Sequence, residues 1–227
     1  MWSIENRRLI AIILLIFLFI VLISCGKGRW VSSEKCHNPN CNKLALTDSK
    51  YCWTHLEDKQ AYVDEIVKKV KDGEDLHYCN LTEVDFNGAD LSVAKLAEAS
   101  LTGADLSNCI LAGADLKQAQ LVGADLGGAV LNGAVISGAN LVDTRMNGVT
   151  ANGADFTDAN MVGVSFEQGS AKNSNFTNAN IVNGNFDGCD LTGSDFTNAN
   201  LVNTTFEKAI TKDVNWAGAK KVDYGKG

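Results

Sequence analysis

The stretch ADLSNCILAGADLKQAQLVGADL, residues 104–126, decides the fold. Leu106, Leu111, Leu116, Leu121 and Leu126 recur every five residues, and two positions before each stands a small one: Ala104, Cys109, Ala114, Ala119 or Ala124. Outward from this stretch the beat runs from Leu76 to Trp216 without insertion or deletion, weakest at Ala151, Ala171 and Thr211. A helix repeats its apolar face at three and four residues and a strand at two, so a fixed five fits neither. Each unit must be a short extended piece followed by a corner. Such units bury their apolar face by stacking on one another in a solenoid.

A longer period sets the number of units per turn. Ala139-Asn140-Leu141-Val142 returns as Ala159-Asn160-Met161-Val162, Ala179-Asn180-Ile181-Val182 and Ala199-Asn200-Leu201-Val202, a spacing of 20 residues or four units. Val122 extends the valine column one step earlier. A square coil follows, with about seven coils and a length of roughly 34 Å at the usual strand spacing. Phe156, Phe166, Phe176, Phe186, Phe196 and Phe206 recur every ten residues, which places them on two opposite walls. The beat shrinks to Ala151 and Ala171 beside them, because a close-packed interior has no room for bulk on every wall.

The motif in Ala89-Asp90-Leu91, Ala104-Asp105-Leu106, Ala114-Asp115-Leu116 and Ala124-Asp125-Leu126 resembles the pentapeptide-repeat family. The resemblance covers roughly two thirds of the chain. It implies an all-β solenoid, a right-handed quadrilateral parallel β-helix, with the beat and minus-two residues pointing inward.

The chain divides into a leader (1–25), a short cysteine-bearing segment (26–55), a helix and turn leading into the repeats (56–75), the solenoid (76–220) and a tail (221–227). Leu9 to Ile23 is an unbroken run of 15 apolar residues after Arg7 and Arg8. At 1.5 Å per residue it spans roughly 22 Å, short for a hydrocarbon core of about 30 Å and at the upper limit of a signal h-region. Leu22 to Cys25 resembles a bacterial lipobox, in which Cys25 is lipidated and becomes the mature N-terminus. The reading is an exported lipoprotein tethered to the membrane. Its alternative is an uncleaved single-pass anchor, which Ser24 and Gly26 would lengthen and Lys27 and Arg29 would flank.

Cys36, Cys41, Cys52 and His55 follow a C-x4-C-x10-C-x2-H spacing. Three thiolates and one imidazole complete a tetrahedral zinc ion, and a closed set of four protein ligands is structural. The segment from Ser49 to His55 resembles the second knuckle of small Cys3His zinc modules, where the last two ligands start a helix. The competing reading is a disulfide between Cys36 and Cys41, which an oxidising compartment would favour. His37 is a substitute ligand. Tyr62, Ile66, Val67 and Val70 fall on one side of the following helix, and Tyr62, Ile66 and Val70 are expected to cover the open end of the first coil, where unpaired strand edges need protection. Cys79, Cys109 and Cys189 occupy minus-two slots and read as buried free thiols.

All three histidines, His37, His55 and His77, precede or open the repeats, and no phosphate loop or nucleophile elbow is present in the sequence. The chain reads as a non-enzyme that acts through surfaces. From Tyr78 onward 17 acidic residues face 9 basic ones, whereas residues 1–77 carry 10 and 11, so the solenoid is an acidic rod on a near-neutral base. Direct nucleic-acid binding does not suit that charge. Val122, Val142, Val162, Val182 and Val202, beside Asn140, Asn160, Asn180 and Asn200, form the candidate surface for a protein partner or a second copy of the chain. Outward β-branched residues also favour extended backbone in their own right. The expected function is a membrane-tethered interaction or scaffold protein. The alternative, implied by the family resemblance together with the acidic charge, is a cytoplasmic DNA mimic that binds a type II topoisomerase. An enzyme with an unrecognised site is a distant third.

Overall fold

The computed structural model describes residues 34–220. Every fifth residue from Asp75 to Asn200 pairs in parallel with the residue 20 later, so one coil is four pentads and each wall is a ladder of single-bridge rungs. Around Leu106 the Leu106 N–H donates to the Asp125 carbonyl of the next coil at 2.6 Å, and the Asp125 N–H returns to the Ala104 carbonyl at 3.0 Å. Strands this short cannot hold register by length, so the corners set it.

Each corner is a type II turn. The beat carbonyl accepts from the N–H three residues later, as Leu106 does from Cys109 at 3.2 Å, and the residue two after the beat has positive φ. Asn108 (φ 58°) and Gly103 (φ 64°) are examples. Gly, Asn and Asp tolerate this conformation, and they fill most such slots. Val93 (φ 53°) is an exception, a β-branched residue held there while 69% exposed. At many corners an Asp or Asn before the beat closes the turn from outside: the Asp105 carboxylate accepts from the Ser107 N–H at 2.9 Å and from its hydroxyl at 2.5 Å. That Asx turn is the reason the motif carries Asp or Asn at this place.

Inside, the beat and minus-two residues from Leu76 to Leu201, Ala89 apart, are buried along one continuous core, and the last coil is open, with Trp216 37% exposed. Leu, Ile and Met fill the early coils, and the later ones stack Phe on two opposite walls. Phe156, Phe176, Phe196 and Trp216 stack at centroid distances of 4.8, 4.5 and 4.9 Å. Phe166, Phe186 and Phe206 stack opposite at 5.2 and 5.5 Å. The two columns meet edge to face, as Phe176 and Phe186 do at 5.9 Å. Ala151 and Ala171 are fully buried between them. Gly169 and Gly184 give further relief, since a Cβ on either would lie 2.7 Å from the ring of Phe166 or from Ile181. Where Leu191 restores bulk to the wall of Ala171, Gly184 supplies the missing volume in the same coil.

Polar minus-two residues are satisfied within the wall. Thr144 donates to the Leu121 carbonyl at 2.8 Å and Ser174 to that of Ala151 at 2.7 Å. Cys109 and Cys189 are buried free thiols bonded in the same way to the Phe86 and Phe166 carbonyls, and burial pushes them up to about 12 and about 11. Cys79 is buried in the same kind of slot but, unlike them, is not among the free thiols.

Helix α1 spans Lys59–Lys71, capped by the Asp58 carboxylate, which accepts from the Ala61 N–H at 2.9 Å. It starts later than the last zinc-spacing ligand because Trp53–His55 is a separate 3-10 turn, broken at Leu56. Tyr62, Val63, Ile66 and Val70 are its buried residues and join the solenoid core, with Val67 partly buried beside them. Val63 is a buried residue of this face that the sequence reading did not include.

Candidate metal centre and interaction wall

Residues 34–55 form a small knuckle. Lys35 pairs antiparallel with Leu44, the Cys36 N–H donates to the Lys43 carbonyl at 2.9 Å, and the Cys41 N–H closes the Asn38-Pro39-Asn40 turn on the Asn38 carbonyl at 3.0 Å. The His37 N–H reaches the Lys50 carbonyl at 2.9 Å, which draws the second half of the segment, with Cys52 and His55, onto the first.

The side chains of Cys36, Cys41, Cys52 and His55 meet with every ligating atom within 4.8 Å of the others. His55 Nδ1 lies 3.5 Å from Cys36 Sγ and 3.4 Å from Cys52 Sγ, while Cys41 and Cys52 sulfurs are 3.8 Å apart. A tetrahedral zinc with sulfur at about 2.3 Å and nitrogen at about 2.0 Å has edges of roughly 3.8 Å between sulfurs and roughly 3.5 Å from sulfur to nitrogen. The cluster fits a metal ion of that size. All three cysteines are free, so the Cys36 to Cys41 disulfide is not formed. Burial acts to raise the Cys36 thiol, but the N–H groups of Cys52 and Asn38 and the Cys52 and His55 side chains outweigh it and hold it at about 6. Cys41 is raised: the Lys43 N–H favours its thiolate, and burial with the neighbouring Cys52 and Cys36 overrides that. His37 packs edge-on against Tyr51 at 6.3 Å and is not in the ligand cluster.

The knuckle is docked on the first coil by residues that carry no motif. The Thr47 N–H donates to the Asn80 carbonyl at 3.0 Å, the Asn80 N–H returns to Thr47 Oγ1 at 2.7 Å, and the Asn80 amide donates to the Ala45 carbonyl at 2.7 Å. The Tyr62 hydroxyl of α1 donates to the Thr47 carbonyl at 2.9 Å. Lys43 pairs with Glu83 of the first coil and Lys69 of α1 with Asp48. The bond to Asp48 raises Lys69 despite its burial. An open groove of about 430 Å³ remains beside the knuckle, bordered by Leu44, Cys52, Tyr78 and Glu98, the Tyr78 hydroxyl bonding Glu98 at 3.0 Å.

The second candidate lies on one wall of the solenoid. Val122, Val142, Val162, Val182 and Val202 each follow a beat and are half-buried. Beside them the asparagines form an amide ladder: Asn140 donates to Gln120 at 3.2 Å, Asn160 to Asn140 at 3.3 Å, Asn180 to Asn160 at 3.2 Å and Asn200 to Asn180 at 2.9 Å. The ladder ends at Asn200 Oδ1, which is buried and has no hydrogen-bond donor among the described residues. Asparagine carries two amide N–H donors, so the ladder uses one and leaves the other. Ile110 on a different wall is 42% exposed, more than any of the valines. Cys25 and the leader lie outside the described residues, and no helix among those described is long and apolar enough to cross a membrane.

The class these features define is a β-solenoid of stacked pentads with a small Cys3His cluster at its N-terminal side. The comparisons give the family. Pentapeptide repeats (8 copies) match residues 75–112, and a pentapeptide repeat region matches residues 127–196. Over these residues the solenoid matches the pentapeptide-repeat family. No curated protein matches the chain. Among solved structures, full-length QnrB1, described as a plasmid-mediated fluoroquinolone resistance protein, is 19% identical with a TM-score of 0.35, over 67% of this chain and 86% of that one. HetL from a Nostoc cyanobacterium, described as involved in heterocyst differentiation regulation, is 23% identical with a TM-score of 0.21, over 72% and 98%. A pentapeptide repeat protein from the Arabidopsis thaliana thylakoid lumen is 34% identical with a TM-score of 0.20, over 50% and 65%.

Proposed function

We propose that this chain is a non-catalytic, membrane-tethered interaction protein whose solenoid presents the valine and asparagine wall to a protein partner. The observation that carries the reading is the wall itself. The same two residue types stand one above another from Asn140 to Val202, and the amide ladder fixes their spacing. A flat, rigid column of half-buried valines with outward amide donors suits an extended protein surface of matching repeat. The tether rests on the sequence of the leader: Arg7 and Arg8, the apolar run and the Leu22 to Cys25 motif. In this reading Cys36, Cys41, Cys52 and His55 hold a structural zinc ion, whose contribution is to fold the knuckle.

Replacing Val142, Val162 and Val182 together with Thr is expected to reduce capture of the partner by proximity labelling without changing the melting temperature. Equal labelling from the parent and the triple variant removes the wall from the account. Palmitate incorporation that is lost in Cys25→Ala supports the lipoprotein form, and none in the parent rejects it. The acidic charge of the rod favours a second reading, a cytoplasmic DNA mimic acting on a type II topoisomerase. Cell fractionation separates the two, since that reading requires the protein in the soluble fraction.

A further inference from the structure

We infer that the metal centre is a latch on the solenoid: its occupancy holds the edge of the first coil closed on the wall of Asn80. This rests on the reading of the cysteine cluster as a zinc site and adds what that site controls.

Along a wall, each pre-beat residue donates its N–H to the coil before it and its carbonyl accepts from that same coil, as Ser100 does with Cys79 and Leu81. Asn80 stands on the first coil, where no earlier coil exists. Thr47 takes the place of that coil. Its N–H fills the Asn80 carbonyl, and its hydroxyl receives the Asn80 N–H. Asn80 is 5% exposed and Thr47 fully buried, so neither is solvated if the contact opens only partly. The knuckle is thus a surrogate rung, and the edge it covers would otherwise offer unpaired backbone groups to other chains.

The position of Thr47 in the chain makes this contact depend on the cluster. Ala45, Leu46 and Thr47 lie between Cys41 and Cys52, so a metal that holds both cysteines closes the loop bearing the surrogate rung. Within residues 34–55 the buried side chains are Cys36, Ala45, Leu46, Thr47 and Cys52. Two of the five are ligands, and Leu46 packs into the solenoid core rather than into the knuckle. A segment with so little interior of its own does not stay folded without its metal. The ion pairs Lys43 to Glu83 and Lys69 to Asp48 flank the rung on either side. The Lys43 pair is exposed and contributes little; the Lys69 pair is largely buried and holds Asp48 to α1, but neither supplies the backbone bonds that Thr47 makes to Asn80.

The test is hydrogen exchange on the full chain, zinc-loaded, then stripped with a chelator, then reloaded, with zinc content measured in each state. The amide of Asn80, the one in residues 76–81 that bonds the knuckle, is expected to lose about tenfold or more of its protection on stripping, the equivalent of one buried hydrogen bond, and to recover on reloading. Peptides spanning residues 156–206 should not change. Thr47→Pro, which removes both the N–H given to the Asn80 carbonyl and the hydroxyl that receives the Asn80 N–H but keeps all four ligands, should show the same loss at Asn80 with full zinc content. A stripped protein whose first coil exchanges as before, while residues 36–52 open, makes the knuckle an independent bead and overturns the latch alone. A chain that takes up no zinc overturns both the latch and the zinc reading.

Discussion

The early coils and the late coils fill the same square cross-section in different ways. Around Leu96 to Leu131 the four walls each bring a leucine of moderate volume. Around Phe156 to Phe206 two opposite walls bring stacked aromatic rings, and the volume is recovered from Ala151, Ala171, Gly169 and Gly184. The rung spacing is common to both halves, so what is conserved along the rod is the summed interior volume of a coil, not the residue at any one position. Leucine coils tolerate exchange among aliphatics. Phenylalanine coils depend on particular small residues next to particular rings.

That contrast predicts where substitutions hurt. The largest effect is expected from Phe176→Ala, which removes the ring stacked between Phe156 and Phe196 and leaves a cavity in the most densely packed half, at about 4 kcal/mol by chemical denaturation. A loss below about 1 kcal/mol would mean the rings are not a shared column. Next is Ala171→Phe, which adds a third aromatic wall to a coil already holding Phe156 and Phe166 and should cost about 3 kcal/mol or prevent folding. An unchanged denaturation midpoint would break the volume argument. Outside the core the two halves should behave alike, and effects become small. Val93→Gly, at a corner of the first coil, relieves a β-branched residue at positive φ and is expected to raise stability by about 1 kcal/mol. A loss on this change would mean that the exposed Val93 side chain makes a stabilising contact that outweighs its backbone.

The smallest effect concerns Asp190, in the late half. A hydrogen bond from Lys172, then one from Thr192, holds its carboxyl at about 2, below the ordinary carboxylate near 4. Because the folded value is depressed, the stabilisation is complete above about pH 4 and is lost as pH falls through about 2. The group is partly solvated, so Asp190→Asn should lower stability at neutral pH by less than about 1 kcal/mol and flatten the decline over that acid window. Identical acid profiles for both proteins would show that the Lys172 pair carries nothing.

Much of the fold was legible because it is periodic. A beat of five with a small partner fixes an inward pair, and a period of 20 fixes four walls, so the phenylalanine columns and their alanine relief could be read before any coordinates. That Cys36, Cys41, Cys52 and His55 come together was legible from spacing, since two close pairs of such donors separated by a loop have few other uses. The turn type was missed. Its slot two after each beat holds Gly, Asn, Asp, Gln, Glu, Lys, Tyr and Val, and only the recurrence of Gly and Asn there hints at positive φ. Gly169 and Gly184 were not singled out, because they sit in a slot where alanine is usual and their need arises from one ring or one methyl group. The docking of Thr47 on Asn80 joins an irregular segment to a repeat position 33 residues away, and neither residue carries a signature of its partner.

The claim on which the rest depends is that residues 20 apart lie directly above one another on a single wall, which stacks both the rings inside and the valines outside. Paired cysteines measure this. Val162→Cys with Val182→Cys places two thiols on adjacent rungs about 4.8 Å apart in backbone spacing, within disulfide reach, whereas Val162→Cys with Thr177→Cys places them on neighbouring walls. Mild oxidation should cross-link the first pair rapidly and leave the second as thiols. Rapid closure of the second pair with none in the first would contradict the four-walled coil.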